Sequence, residues 1–176
     1  MVHRIEVGFR EGIRDALGEK TKRKIVEHLG IEVADVRTVE VYTIEGDLSP
    51  EELAAIAGGP FSDPVIQYFT IDKPAARSFD WLIEVGFRPG VTDNVGKTAA
   101  EAVRLLLGQG RDAGVFTSRQ YCLTGRLDGA HVERIASGLL ANDLIQRYEI
   151  IHARDWDPKC GNGPFARESR LSGLRA

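Results

Sequence analysis

The chain has 176 residues with a formal net charge of −3, and hydrophobic residues make up 43% of it. This is enough for one ordinary folded domain or two very small ones. Charges of both signs are interspersed and no run of Lys or Arg forms a basic stripe, which argues against nucleic acid as a partner. The first ten residues carry charges where a signal peptide needs an apolar block, and no stretch of roughly 18 apolar residues occurs, so a cytosolic protein that does not enter a membrane is expected.

The N-terminal part of the chain predicts a strand followed by a helix. In IEVGFR, at positions 5–10, apolar residues occupy every second place, which is typical of a strand with one buried face. The helix is predicted to begin near Asp15, whose carboxylate can cap free N–H groups, and to end at Gly30, which suits a left-handed conformation.

The following residues predict a strand, a second helix and a closing strand. The strand contains residues 36–42. Ser49, Pro50 and Glu52 form a capping box with Pro at the first helical position, so the second helix begins there. Residues 65–71 are rich in β-branched and aromatic residues and predict a closing strand, with Val65 on its apolar side. The first unit therefore reads β-α-β-α-β.

The second half of the chain repeats the first. IEVGFR recurs letter for letter at 83–88, and 11 of the 26 positions from 5 to 30 are identical to those from 83 to 108, where about one or two would be expected by chance. After one inserted residue the match continues to Ile150. The second unit thus predicts the same elements, with a helix from Asp93 or Asn94 to Gly108, Asp128 as a further helix cap and a closing strand at 144–150.

The duplication predicts an α+β fold in which two tandem β-α-β-α-β repeats pack about a pseudo-twofold axis, as the subunits of a dimer do. A three-stranded unit of about 70 residues has a weak core and open edges. Pairing two units into one mainly antiparallel sheet, with helices on one face, remedies both. The predicted boundaries are 1–71 for the first repeat, 72–82 for a linker in which Trp81 packs, 83–152 for the second repeat and 153–176 for a C-terminal extension or linker.

One motif resembles a phosphate-binding loop but has the wrong spacing. Five residues separate Gly90 from Gly96 in the segment that ends in Gly96-Lys97-Thr98, whereas a phosphate loop has four. The first repeat keeps both glycines, as Gly12 and Gly18, without the Lys-Thr pair. We therefore assign the glycines to a strand-to-helix turn and expect no nucleotide site.

The cysteines and histidines give no catalytic or metal-binding pattern. Pro158 and Asn162 stand where a nucleophile elbow around Cys160 would need glycine. Cys122 and Cys160 are expected to be reduced thiols, and neither has a Cys or His at the spacing of a zinc site. We expect no catalytic residue, no bound cofactor and no metal ligand.

Repeated polar residues mark a possible interface instead. Gln67 and Gln146 recur on the otherwise apolar side of the closing strands, where each either caps nearby backbone or meets the other near the pseudo-twofold axis. Arg10 and Arg88 recur at a strand exit, where they either bind carboxylates or phosphates of a partner or are solvated. The repeated Tyr42 and Tyr121 complete the candidate interface.

At several of these segments the sequence resembles the PurS subunit of phosphoribosylformylglycinamidine synthase. The turn Phe87-Arg88-Pro89-Gly90-Val91-Thr92-Asp93 and the strand Val36-Arg37-Thr38-Val39-Glu40-Val41-Tyr42 carry the likeness, with further support at 93–98 and 140–145. The likeness covers residues 3 to about 152, and its duplicated form is similar to the PurS-like domain of the large, fused synthase. The repeats depart from the family pattern at Glu11 and Phe116.

The resemblance implies a role in de novo purine biosynthesis as a non-catalytic part of an ATP-dependent carbon-nitrogen ligase. Such a component bridges a PurL-type synthetase, which uses ATP and magnesium, and a PurQ-type glutaminase, which supplies ammonia. It binds no cofactor itself, and further homo-oligomers are possible. Two other classes stay open: a regulatory module that binds a small ligand between its repeats, and an enzyme that binds nucleotide at Lys97.

Overall fold

The computed structural model describes residues 1–159, in which six strands form one antiparallel sheet. The strands are β1 (Val2–Phe9), β2 (Asp35–Glu45), β3 (Gln67–Ile71), β4 (Trp81–Phe87), β5 (Gly114–Thr124) and β6 (Gln146–His152). Their order across the sheet is β3-β1-β2-β5-β4-β6. Every neighbouring pair is antiparallel. The predicted α+β class, with two β-α-β-α-β units in tandem, is confirmed.

Four α-helices connect the strands. They are α1 (Ala16–Leu29), α2 (Pro50–Gly58), α3 (Asn94–Leu107) and α4 (Gly129–Ile135), and α4 continues into a π-helical turn over Ala136–Leu140. The predicted caps are present: Asp15 caps α1, Ser49 and Glu52 form a capping box on α2, and Asp128 caps α4. Gly30 ends α1 with a φ of 64°, the left-handed conformation that favours glycine. Within residues 1–159 no helix is long and apolar enough to cross a membrane.

The two repeats meet at the centre of the sheet. β2 of the first repeat pairs with β5 of the second from Asp35 opposite Thr124 to Glu45 opposite Gly114. Both strands extend beyond the predicted segments because each pairs with a strand on both sides. The closing strands are shorter at their start than predicted, beginning at Gln67 and Gln146. β3 and β6 are the edges of the sheet, one from each repeat.

Both repeats contribute to each core on the helical face. One core joins Ile5 and Ile56 of the first repeat to Val103 of α3 in the second. The other joins Ile25 of α1 in the first repeat to Ile83, Val85, Val132 and Ile135 of the second. Helices α1 and α3 thus reach across to the partner repeat. Neither repeat has a complete hydrophobic core from its own residues.

The linker covers part of the second face of the sheet. Residues 72–80 run from edge strand β3 to β4, which begins at Trp81. Ala75 of this segment packs with Val41, Leu82 and Cys122 in a third apolar cluster. Burial raises the pKa of the Cys122 thiol to about 12, so this free cysteine stays protonated at neutral pH. Cys160 and the rest of the predicted extension from residue 160 onward lie outside the described residues.

The repeated glycines have two different roles, and the assignment of all four to the turn was wrong for two of them. Gly12 and Gly90 do lie in the turn, with φ of 78° and 83°. Gly18 and Gly96 lie inside the first turn of their helices, where an added Cβ would come within 2.2 Å of Val36 O and 2.4 Å of Val115 O, respectively. These two glycines let α1 and α3 pack directly on strand backbone.

Replacing Gly18 or Gly96 with Ala should therefore destabilise the fold although alanine favours helix formation. The new methyl group meets a backbone carbonyl that cannot turn away, so we expect a loss of about 1–3 kcal/mol in the free energy of unfolding for each variant. Urea unfolding followed by circular dichroism measures it.

Gly129→Ala is the matched control, because Gly129 begins α4 and its nearest neighbour, an atom of the Trp81 ring, lies 4.0 Å from the added Cβ. This variant should be neutral or slightly stabilising. Equal stability of all three variants would contradict the close helix-strand contact.

Candidate functional site

In the first repeat, two of the candidate interface residues hold one loop at the sheet edge. Arg10 Nε donates a hydrogen bond to Pro64 O at 3.0 Å, and Arg10 N donates to Ile66 O at 2.9 Å. Gln67 Oε1 accepts from Asp63 N at 2.8 Å. These contacts fix residues 63–66, here named edge loop 1, just before β3.

The second repeat builds the same arrangement around residues 142–145, here named edge loop 2. Arg88 Nε donates to Asp143 O at 2.8 Å, and the same guanidinium contacts Asp143 Oδ1 at 3.0 Å. Gln146 Oε1 accepts from Asn142 N at 2.8 Å. In each repeat the arginine and the glutamine therefore brace the same loop, which precedes an edge strand.

The hypothesis that Gln67 and Gln146 meet near the pseudo-twofold axis was wrong. They begin β3 and β6, which lie at opposite edges of the sheet. With strands about 4.8 Å apart, five strand spacings separate the two residues by about 24 Å. The alternative prediction, that each glutamine caps nearby backbone, describes the contacts observed.

Each edge loop exposes an apolar residue. Val65 is 78% exposed and Leu144 is 85% exposed, so their assignment to the apolar side of the closing strands was wrong. Asp63 Oδ1 accepts from Val65 N, and Asn142 Oδ1 accepts from Leu144 N, at 3.0 and 3.2 Å. These Asx turns aim the apolar side chain outward before the strand begins. An Asp or Asn two residues before the apolar residue was the signal in the sequence for this turn.

The repeated tyrosines pack against the two cores, Tyr42 partly buried and Tyr121 buried. Tyr42 stacks on Phe61 with ring centroids 4.1 Å apart, beside one of the shared cores. Tyr121 is buried in the other core. Burial raises the pKa of Tyr42, with the Glu40 carboxylate adding to the shift. Both rings sit on the strands through which the repeats pair, and neither belongs to the edge loops.

The loop that resembles a phosphate site is filled by a carboxylate of the chain. Asp93 Oδ1 accepts from Gly96 N at 2.8 Å, and Asp93 Oδ2 accepts from Thr117 N at 2.6 Å. Asp15 makes the same contacts with Gly18 and Thr38 in the first repeat. A phosphate at this helix terminus would have to displace or approach an anion already bound to the free N–H groups. This geometry disfavours the nucleotide-binding alternative.

A buried charge cluster joins the repeats on the second face of the sheet. Arg4 Nε contacts Glu6 Oε1 at 2.7 Å, and Arg4 Nη2 contacts both carboxylate oxygens of Glu84 at 3.0 and 2.9 Å. Glu84 also accepts from Ser118 Oγ at 2.6 Å and from Gln120 Nε2 at 3.2 Å. Glu6 and Glu84 are the same position in the two repeats, so one arginine compensates both copies of a repeated acid.

The charges in this cluster depend on one another. Burial raises the pKa of Glu6, while Arg4 and the N–H of Ala75 act in the opposite direction. Burial lowers the pKa of Arg4, but Glu84 and Glu6 more than offset it, so the net shift is upward. Among residues 1–159, no group of three or more His, Cys, Asp or Glu is placed to hold a metal ion. The cluster therefore links the two repeats through a buried ion-pair network.

Replacing Arg4 with Leu should destabilise the protein by about 3–5 kcal/mol near pH 8, because two buried carboxylates lose their cation. The loss should be smaller near pH 5. Glu6 has a pKa above its ordinary value of 4.5 in the folded state, so the folded protein binds protons more readily than the unfolded chain and stability falls as the pH rises through the folded pKa. Without Arg4 this dependence should steepen. Urea unfolding at the two pH values measures it.

The double variant Arg4→Leu/Glu84→Gln is the control. Removing one buried negative charge should recover part of the stability at pH 8 and flatten the pH dependence. If Arg4→Leu loses the same stability at both pH values, Glu6 does not take up a proton as described.

Residues 2–74 match the family model described as PurS, phosphoribosylformylglycinamidine (FGAM) synthase. The match covers the whole first repeat, including Arg10 and edge loop 1. No curated protein matches the chain. The resemblance seen in the sequence is therefore confirmed for a PurS-like domain at residues 2–74, and the second repeat carries the same elements in the same order.

Proposed function

We propose, on the premise that residues 2–74 are a PurS-like domain, that the chain is a non-catalytic component of FGAM synthase in the cytoplasm. In this role it bridges a PurL-type synthetase and a PurQ-type glutaminase in de novo purine biosynthesis. The synthetase uses ATP and magnesium to activate the amide oxygen of formylglycinamide ribonucleotide. Ammonia that the glutaminase releases from glutamine then replaces that oxygen.

One observation carries this proposal: the PurS-like domain shares its core and its central strand pairing with the second repeat. Its core is completed by α3 of the second repeat, and its central strand β2 pairs along its length with β5. The second repeat has the same succession of strands and helices. A single chain thus presents the shape that two associated PurS-like domains would present, which suits a protein that contributes shape to an assembly.

The use of the polar residues supports the same role. The carboxylates of Asp15 and Asp93 are engaged by helix N-termini and strand backbone. Arg10 and Arg88 hold the edge loops. These repeated polar side chains therefore hold the backbone in place. This is the use expected in a scaffold, whereas an enzyme would present some of them to a substrate.

The edge loops offer two separate docking points. Each loop combines an outward apolar side chain, Val65 or Leu144, with a rigid backbone held by an arginine and a glutamine. Exposed apolar residues on a braced loop are typical of protein contacts. The loops lie at opposite edges of the sheet, so the synthetase and the glutaminase can each occupy one of them without competing.

Omitting the chain from a reconstituted synthase should abolish glutamine-dependent FGAM formation while leaving ammonia-dependent formation intact. A bridging component is needed to deliver ammonia from glutaminase to synthetase, but free ammonium reaches the synthetase by diffusion. The measurement compares FGAM formation with glutamine and with ammonium chloride, with and without the full chain, using purified synthetase and glutaminase.

Loss of both activities would assign the chain a part in the synthetase reaction itself. Unchanged glutamine-dependent activity, together with no co-purification with either partner, would contradict the proposal. ATP hydrolysis in the ammonium reaction serves as the internal control for an intact synthetase.

Replacing Val65 and Leu144 with Ser should weaken partner binding without weakening the fold. Each residue is more than three-quarters exposed, so the free energy of unfolding should change by less than about 0.5 kcal/mol. We expect each residue to act as an anchor of its interface, whose loss costs more than about 1 kcal/mol of binding energy and raises the dissociation constant roughly fivefold. Calorimetry with the synthetase and with the glutaminase, for each single variant, measures it.

Val95→Ser is the matched control, because Val95 is 59% exposed on α3 and lies outside both edge loops. It should bind both partners as the original chain does. If Val65→Ser and Leu144→Ser also bind both partners normally, the edge loops are not the docking points, although the bridging function would still stand on the activity test.

A further inference from the structure

A pair of opposite charges lies on the pseudo-twofold axis. Glu40 and Arg119 stand opposite each other in the pairing of β2 with β5, and Glu40 Oε1 contacts Arg119 Nε at 2.6 Å. They are also the same position in the two repeats, 79 residues apart, as Val36 and Val115 are. A residue on the axis of a symmetric pair faces its own copy. Here the two copies of that residue have opposite charges.

The contact has an electrostatic effect on Arg119. Partial burial lowers the pKa of Arg119, but the Glu40 carboxylate and Tyr121 together outweigh this and the net shift is upward. Each side chain keeps more than a third of its surface exposed. If the first repeat paired with a copy of itself, Glu40 would face Glu40, and a self-pair of the second repeat would bring Arg119 against Arg119. Like charges directly opposite each other destabilise a sheet.

The buried charge cluster also differs between the repeats, and this difference likewise disfavours a self-pair. Glu84 is fully buried and is compensated by Arg4 from the other repeat. The second repeat has Leu82 at the position of Arg4. A self-pair of the second repeat would therefore bury two Glu84 carboxylates without an arginine, which is strongly unfavourable.

We propose that the β2-β5 interface is specific for unlike repeats: each repeat recognises the other and rejects a copy of itself. The partner that fits this surface is the opposite repeat, from the same chain or from a second copy of it. The axis pair disfavours both kinds of self-pair, and the Arg4 to Glu84 contact adds to this for the second repeat. This specificity is independent of the proposed function and rests only on the contacts between the repeats.

The intact chain tests the axis pair by charge reversal. Glu40→Arg and Arg119→Glu each place like charges opposite each other, so the urea midpoint of each variant should fall. The double variant Glu40→Arg/Arg119→Glu restores opposite charges and should return most of the way to the original midpoint. Sodium chloride at high concentration should shrink the differences, because both side chains are partly exposed. If the urea midpoint of the double variant is as low as that of the less stable single variant, the proposal is overturned.

Self-recognition is tested with the full chain cut only after folding. A sequence for a specific protease inserted between the exposed residues Arg77 and Ser78 allows the linker to be cleaved in the folded protein. The nicked protein is unfolded in urea, refolded by dilution and analysed by native mass spectrometry, which distinguishes the three possible pairs by mass. We expect pairs of unlike repeats to exceed self-pairs by at least tenfold. Self-pairs in statistical proportion, or repeats that stay apart after refolding, would overturn the proposal.

The nicked Glu40→Arg variant sharpens the result. It should form fewer unlike pairs than the nicked original. Mixing it with the nicked Arg119→Glu variant should produce unlike pairs that combine the substituted first repeat of one protein with the substituted second repeat of the other, because opposite charges then face each other again on the axis. Random mixing of all four fragments would overturn the proposal.

Discussion

The structure depends on one constraint, which is that neither repeat can bury its apolar surface alone. Ile25 of α1 packs with residues of the second repeat, and Val103 of α3 packs with residues of the first. Because α1 and α3 each contribute to a core that contains residues of the other repeat, both cores are joint products of the two repeats. Small α/β units of about 70 residues bury a small share of their surface and are only marginally stable singly. A shared core and an unbroken central strand pair solve this, and covalent linkage removes the concentration dependence that a dimer would have.

The sequence predicted the elements well because their signals are local. Alternation in IEVGFR, the caps at Asp15 and Ser49, and the left-handed Gly30 each act within a few residues and were all confirmed. The sharing of each core between the repeats could not be predicted, since an apolar stripe shows that a helix is buried without showing which residues of the other repeat pack against it. The exposure of Val65 and Leu144 was missed for a related reason: strand propensity extended the closing strands backwards over an Asx turn that ends the preceding loop instead.

The repeats satisfy the same buried acid in different ways. Glu6 receives a hydrogen bond from the linker, Ala75 N to Glu6 Oε2 at 2.7 Å, while Glu84 receives hydrogen bonds from Ser118 and Gln120 of its own repeat. Arg4 serves both. The linker crosses the second face of the sheet beside Glu6, and that difference in covering explains why the donors differ. Glu6 and Glu84 are thus identical in sequence but have different hydrogen-bond donors. Comparing the sequences of the repeats does not show this difference.

The positions at which the repeats agree and differ separate two kinds of constraint. A homodimer must use one residue for both sides of its axis, so a position on the axis can be neutral or self-complementary but cannot form an ion pair between unlike charges. Fusion of the two copies lifts that restriction, and Glu40 with Arg119 uses the freedom. The edge loops lie far from the axis, where fusion of the repeats changes no contact between them, and there the arginine, the glutamine and the Asx turn are kept in both repeats. The contact on the axis thus differs between the repeats, whereas the bracing of the two outer loops is the same in both.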